Sequence, residues 1–239
     1  MYSFYKDVIE YKGNLLVRGI HEGEEFKEKV NFRPTLYAIT QNKTNHKTLQ
    51  GQYLKPITFD NIYKCRDFKR NYTNSSAPLY GNDRYHFQYI AKNYPSDVQF
   101  DKNLIKIFTL DIEVTAEKGF PDVENPTEEI LCLTIKNQSN KNIITWGTKP
   151  FFTKRPDVTY IECQSEKQLL MEFFKFWTKN YPDIITGWNT KFFDLPYLCN
   201  RIKHLVGDKV INKLSPWGLI EQEQITVRGR SQTAYDIKG

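Results

Sequence analysis

Asp111, Ile112 and Glu113 put two carboxylates at positions i and i+2 of an apolar run, residues 104–114, that reads as a β-strand. Side chains two apart on a strand lie on the same face. Two adjacent anions repel, and a buried sheet offers nothing to hold them together except a cation. A pair of hard divalent ions such as Mg²⁺, which take carboxylate oxygens and retain waters, is the natural partner. The spacing alone is common, since about one Asp-x-Glu is expected by chance in a chain of this length. Asp122-Val123-Glu124 is a second example, set in a Pro-flanked loop where a solvated role suffices. Asp111 differs in ending an apolar run.

A third carboxylate stands in Thr186-Gly187-Trp188-Asn189-Thr190-Lys191-Phe192-Phe193-Asp194-Leu195-Pro196-Tyr197. Asp194 suits a helix N-cap or first-turn position with proline just inside the helix. It equally suits a side chain that faces the Asp111/Glu113 strand and completes a metal site. The cap accounts for Asp194 but not for the distinctive Gly187-Trp188-Asn189 turn before it.

Two basic features could contact phosphates. Residues 63–72 interleave Lys64, Arg66, Lys69 and Arg70 with Tyr63, Phe68 and Tyr72, a pattern suited to single-stranded nucleic acid. The same residues form an amphipathic helix that buries Ile62, Cys65 and Phe68. Near the C-terminus, residues 223–228 and 231–237 read as a hairpin whose tip carries Arg228 and Arg230 around Gly229. Those arginines either meet nucleic acid or keep an edge soluble.

The elements that must position these groups follow from patterning. Residues 4–10, 15–20, 24–32 and 34–40 alternate and turn like a four-stranded antiparallel meander beginning at Tyr2. Residues 41–52 read as a loop, 59–71 as a helix, 74–82 as a loop and 85–90 as a strand. From residue 104 come a strand, a Pro/Gly-rich loop (119–126), and strands at 130–136 and 143–146. A helix follows, opened by the capping box Ser165-Glu166-Lys167-Gln168, then a short strand at 183–186 and a helix at 193–206 closed by Gly207. The order is α+β and α/β in character: a small mixed domain over 1–103, then a domain over 104–239 whose order fits a mixed five-stranded ribonuclease-H-like sheet.

Composition bounds the function. The 239 residues carry 34 Lys+Arg against 28 Asp+Glu, a net charge of +6, with 16 Phe, 15 Tyr and 4 Trp. Residues 1–110 hold 17 basic and 11 acidic side chains, whereas residues 111–239 hold 17 of each. The whole surplus lies in the first half, as expected of two regions with different tasks. No run approaches the roughly 18–20 apolar residues of a membrane span, and no signal-peptide core follows Met1. The four cysteines form no Cys-x-x-Cys pair, which argues against zinc and for a reducing, cytoplasmic compartment.

Thr-Leu-Asp-Ile-Glu-Val (109–114) and Gly-Trp-Asn-x-x-x-Phe-Asp-x-Pro-Tyr (187–197) resemble exonuclease motifs I and II of family B replicative DNA polymerases, most closely the T-even-like phage type. Phe120-Pro121-Asp122, Asn200-Arg201-Ile202-Lys203 and 214–218 (Leu-Ser-Pro-Trp-Gly) extend the likeness, which is weak before residue 104 and strong after it. The resemblance implies a ribonuclease-H-like 3′-5′ exonuclease that proofreads during DNA replication by two-metal phosphodiester hydrolysis with Mg²⁺ or Mn²⁺. Asp111 would bridge both ions, Glu113 would hold the one that activates water, and Asp194 would serve the leaving-oxygen side. Phe120 and Phe193 would stack on the unpaired primer end or else pack in the core, with Asn189 near the terminal nucleotides. The hairpin would project and part primer from template. Expected partners are DNA and the remaining polymerase polypeptide, in the cytoplasm of a bacterial host.

The family needs one more carboxylate, from a Tyr-x-x-x-Asp after the hairpin. The sequence ends at Gly239, and its only such pattern, Tyr63 to Asp67, comes before motif I, so chain order rules it out. Asp236 in the hairpin is a poor substitute. The expectation is therefore the N-terminal part of a polymerase, with little or no hydrolysis by the isolated chain. The alternative is a catalytically silent module that binds single-stranded DNA or RNA, as the translational-repressor activity of T-even-like polymerases suggests.

Overall fold

The computed structural model describes residues 3–72, 77–117 and 119–239. The readings that began at Tyr2 and Asn74 lie partly outside the described residues. The chain divides into two compact units, Met1–Asp101 and Lys102–Gly239.

In the first unit β1 (Phe4–Tyr11), β2 (Asn14–His21) and β3 (Glu24–Val30) form an antiparallel meander. Lys12 and Gly13 join the first two strands with both φ values positive, 47° and 71°, as a two-residue type I′ turn requires. The expected fourth strand, β4 (Thr35–Ile39), leaves this sheet. Pro34 has no amide to continue the ladder, and its carbonyl accepts instead from Phe59 N at 2.9 Å. With β5 (His46–Lys47), β6 (Tyr53–Thr58) and β7 (Leu79–Tyr80), β4 builds a second sheet in the order β5-β6-β4-β7. The helix α1 (Ile62–Tyr72) starts where Asn61 Oδ1 accepts from Lys64 N at 2.9 Å. Residues 85–90, expected as a strand, lie in a helix, α2 (Tyr85–Asn93). Its buried residues Tyr85 and Tyr89 are four apart, so the helical period governs a stretch whose aromatic content suggests a strand.

The second unit contains β8 (Ile107–Val114), β9 (Ile130–Asn137), β10 (Ile143–Gly147), β11 (Val158–Glu162), α3 (Glu166–Trp177), β12 (Ile184–Thr186), α4 (Asp194–Val206), β13 (Ile220–Val227) and β14 (Arg230–Ile237). Its main sheet has the order β11-β10-β9-β8-β12, with β8/β9 and β9/β10 antiparallel and the two outer pairs parallel. The edge strand β11 went unread in the sequence. One face of the sheet buries Phe108, Leu110, Ile112, Leu133, Ile135 and Trp146 in a core with Leu169, Phe173 and Trp177 of α3 and Leu198 and Ile202 of α4. The Ser165 half of the capping box forms as expected, Ser165 accepting from Gln168 N at 3.3 Å, while Gln168 Oε1 reaches one residue further back and accepts from Gln164 N at 2.8 Å. Strands β13 and β14 form an antiparallel hairpin turned by Arg228 (φ 49°) and Gly229 (φ 78°).

Candidate metal centre

Strand β8 alternates as its sequence requires. Leu110 and Ile112 are buried, while Asp111 and Glu113 are exposed on the opposite face. Across the ladder they pair with Thr134 and Cys132. Burial pushes the Cys132 thiol up first, and the negative charges of Glu113 and Asp111 raise it further.

β12 sets where Asp194 falls. It has three residues and pairs with β8 only from Ile107 to Thr109, so β8 runs on without a strand along that edge. The segment 187–194 replaces the missing strand. Thr190 Oγ1 donates to Leu110 O at 3.4 Å, and Asp194 Oδ1 accepts from Ile112 N at 3.1 Å. Two backbone groups that a longer β12 would have paired are thus met by side chains, as buried backbone requires. Gly187 permits the approach: a Cβ there would lie 2.1 Å from Thr190 Oγ1 and 2.5 Å from Leu110 O. Asn189 takes φ 56°, and its carbonyl accepts from Phe192 N and Phe193 N at 3.0 and 2.9 Å, which winds the chain into α4.

Of the two helix-entry positions expected for Asp194, the first turn holds and the N-cap does not. Phe193 holds the cap position, no side chain caps the helix, and Asp194 is the first helical residue with its carboxylate turned to β8. Asp194 is 3 % exposed. Burial raises its pKa above the usual carboxylate range, the Ile112 amide opposes this, and the charges of Asp111 and then Glu113 raise it again. The three carboxylates therefore act on one another electrostatically, although their oxygens do not close to within 4.8 Å as a set. Among the described residues the trio that does is Glu221, Glu223 and Asp236 on the hairpin, where Lys238 pairs with Glu221 and Asp236. The donor set of Asp111, Glu113 and Asp194 is all oxygen and anionic, which suits a hard divalent ion.

Aromatic rings stand close by in the sequence and in space. Phe120 is 85 % exposed and its ring centroid lies 5.2 Å from that of Phe193, which itself stacks on Tyr197 at 5.7 Å. Phe193 is half-buried against the core, so only Phe120 presents most of its surface. Trp188, beside Asn189 in the turn, is 92 % exposed. Nothing local in the sequence gives Trp188 a role beyond its place in the turn.

The Phe120 loop is tied down by buried polar groups. Arg201 of α4 forms a two-pronged ion pair with Glu166 of α3, Nε to Oε1 at 2.8 Å and Nη2 to Oε2 at 2.6 Å. Its Nη1 donates to the carbonyls of Pro126 and Thr127, and Glu166 Oε1 accepts from Ile130 N. Of the second Asp-x-Glu, Asp122 is exposed and its Oδ1 accepts from Glu124 N in an ordinary loop turn, whereas the Glu124 carboxylate accepts from Thr233 Oγ1 of β14.

The basic segment of the first unit is spent largely on acids. Lys64 pairs with Asp60, Arg66 with Glu10, Lys69 with Asp83 and Arg70 with Asp67. Ile62 and Cys65 are buried, and Phe68 packs between Phe59 and Tyr72. Arg228 and Arg230 are exposed and have no ion-pair partner among the described residues.

A family model described as DNA polymerase family B, exonuclease domain, matches residues 52–239. The chain belongs to this family. It is similar to the DNA-directed DNA polymerase of Enterobacteria phage T4, 26 % identical over 100 % of this chain and 29 % of the relative. The DNA-directed DNA polymerase of Escherichia phage RB69 is 26 % identical over 90 % of this chain and 27 % of its own length. The DNA polymerase delta catalytic subunit of Candida albicans is 35 % identical over 42 % of this chain. The chain thus spans less than a third of the length of the phage polymerases it matches. This family B exonuclease domain includes every site residue of the second unit named above, as well as α1.

Proposed function

We propose that Lys102–Gly239 is a ribonuclease-H-like 3′-5′ exonuclease domain that removes nucleotides from a single-stranded primer end, as the proofreading part of a DNA polymerase. Met1–Asp101 is then a separate N-terminal domain, and the rest of the polymerase and DNA are the partners. The likeness to phage polymerases supports work in an infected bacterial cell. No helix among the described residues is long and apolar enough to cross a membrane.

The observation that carries the reading is the hydrogen bond from Ile112 N to Asp194 Oδ1, which brings the third carboxylate to the strand that bears the other two. Asp111, Glu113 and Asp194 would hold a pair of divalent ions. When bound, such ions polarise the phosphodiester and lower the pKa of the attacking water. The chain's own residues supply the rest. Phe120, exposed and in contact with Phe193, gives the terminal base a face to stack on, a contribution of roughly 1–3 kcal/mol per base. Asn189, fixed by its left-handed backbone at the mouth of α4, offers its amide to the terminal nucleotides. The hairpin with Arg228 and Arg230 at its tip helps hold the strands apart. The test is a 5′-labelled single strand incubated with excess chain and Mn²⁺, so that a single slow turnover registers. A ladder shortening one nucleotide at a time from the 3′ end, lost in Asp111→Asn, supports the reading. Internal cutting, or an unchanged ladder in Asp111→Asn, overturns it.

A further inference from the structure

The hairpin and the Phe120 loop share a part-buried polar junction. Asn200, on α4, donates from Nδ2 to Val123 O at 2.8 Å, and its Oδ1 accepts from the hydroxyl of Tyr235 on β14. One amide therefore spans two segments more than a hundred residues apart. A second link runs in parallel, from Thr233 Oγ1 of β14 to Glu124 of the same loop. Lys203, one turn along α4 from Asn200, donates to the Tyr235 hydroxyl at 2.5 Å and sits 4.7 Å over its ring. Lys203 and Gln222 Oε1, 3.1 Å from that hydroxyl, complete the surroundings on the β13 side.

These contacts are costly to break. Thr233 and Tyr235 are almost wholly buried, and a buried donor or acceptor that loses its partner bears its full desolvation penalty. The loop ends held by the junction begin three residues after Phe120, at Val123 and Glu124.

We propose that Asn200 is a positioning residue that makes the hairpin and the Phe120 loop move as one body. The aromatic face that receives a strand end is thereby kept in register with the hairpin that frees it. This rests on the reading of the domain as an exonuclease, but the mechanical link does not.

The experiment separates the two. Amide hydrogen exchange is measured on the free chain for wild type, Asn200→Leu, Tyr235→Phe and the double variant. Tyr235→Phe keeps the ring and removes the hydroxyl that meets Asn200, Lys203 and Gln222 while leaving the bond from Asn200 to Val123, so it guards against loss of folding in Asn200→Leu. The expected result is about fivefold faster exchange at residues 119–126 in Tyr235→Phe, the change that loss of one ordinary hydrogen bond produces. The double variant should be no worse than Asn200→Leu alone. Faster exchange confined to the hairpin, or additive effects at the loop, would overturn the coupling. A second arm measures quenching of a 3′-terminal 2-aminopurine strand. Equal loss of quenching in both single variants, measured well below the melting temperature of each, supports the functional half. Coupled exchange with unaltered quenching would overturn that half alone.

Discussion

Asp194 Oδ1 accepts a 3.1 Å hydrogen bond from the amide of Ile112, the residue that separates Asp111 from Glu113 in β8. The contact has two functions at once. It satisfies a backbone donor left bare because β12 stops after three residues, and it holds a buried carboxylate beside two exposed ones.

That double duty can be divided by substitution. Asp194→Asn keeps an oxygen for the Ile112 amide and removes the charge, so its unfolding free energy should stay near wild type. Asp194→Ala leaves the amide unpaired and should cost about 1–3 kcal/mol. Urea unfolding of the two variants gives the comparison, and equal losses would show that the hydrogen bond does not hold the turn.

Gly187 should tolerate no side chain. A Cβ at 2.5 Å from Leu110 O would force the turn off β8 and take Thr190 and Asp194 with it. Gly187→Ala is expected to weaken divalent-ion binding at least tenfold, the range over which disturbed metal-site support usually acts. Gly229→Ala, where no atom lies within 4 Å, tests the generic strain of a positive φ and should leave ion binding unchanged.

Removing one member of the Glu166–Arg201 pair should be costly, because each is under a tenth exposed and the survivor would be a buried, unpaired charge. Arg201→Met is expected to lose roughly 3–5 kcal/mol in denaturant unfolding. It should also free residues 126–130, which would appear as new proteolytic cleavage there.

The charge pattern predicts where salt acts. The four α1 cations each face an acid, whereas among the described residues Arg228 and Arg230 do not. Replacing both tip arginines with alanine should reduce the slope of log affinity against log salt for a single strand by about 1.4, near 0.7 per phosphate contact. The Lys64/Arg66/Lys69/Arg70→Ala variant should change it less. Fluorescence anisotropy at several salt concentrations decides between the two sites.

The sequence reading located the paired carboxylates, the capping box and the hairpin because each rests on a short-range rule: strand alternation, a side-chain cap, a two-residue turn. It misread Tyr85–Asn93, where aromatic residues favour strands on average but packing of Tyr85 and Tyr89 decides for helix. It missed β11, a half-buried edge strand with little alternation. It left Asp194 between two roles, since the choice depends on a partner 82 residues away. Asn200 and Arg201 were legible only as parts of a motif; their contacts with the 123–127 carbonyls are long-range and have no local signature.

Asp111, Glu113 and Asp194 are expected to hold divalent ions together. The most direct test is Mn²⁺ titration followed by electron paramagnetic resonance on wild type, Asp111→Asn/Glu113→Gln/Asp194→Asn, and the hairpin control Glu221→Gln/Glu223→Gln/Asp236→Asn. The account predicts that the first variant loses Mn²⁺ binding with its unfolding midpoint kept, while the hairpin control binds as wild type does. Mn²⁺ binding that survives in the first variant and disappears in the control would contradict it.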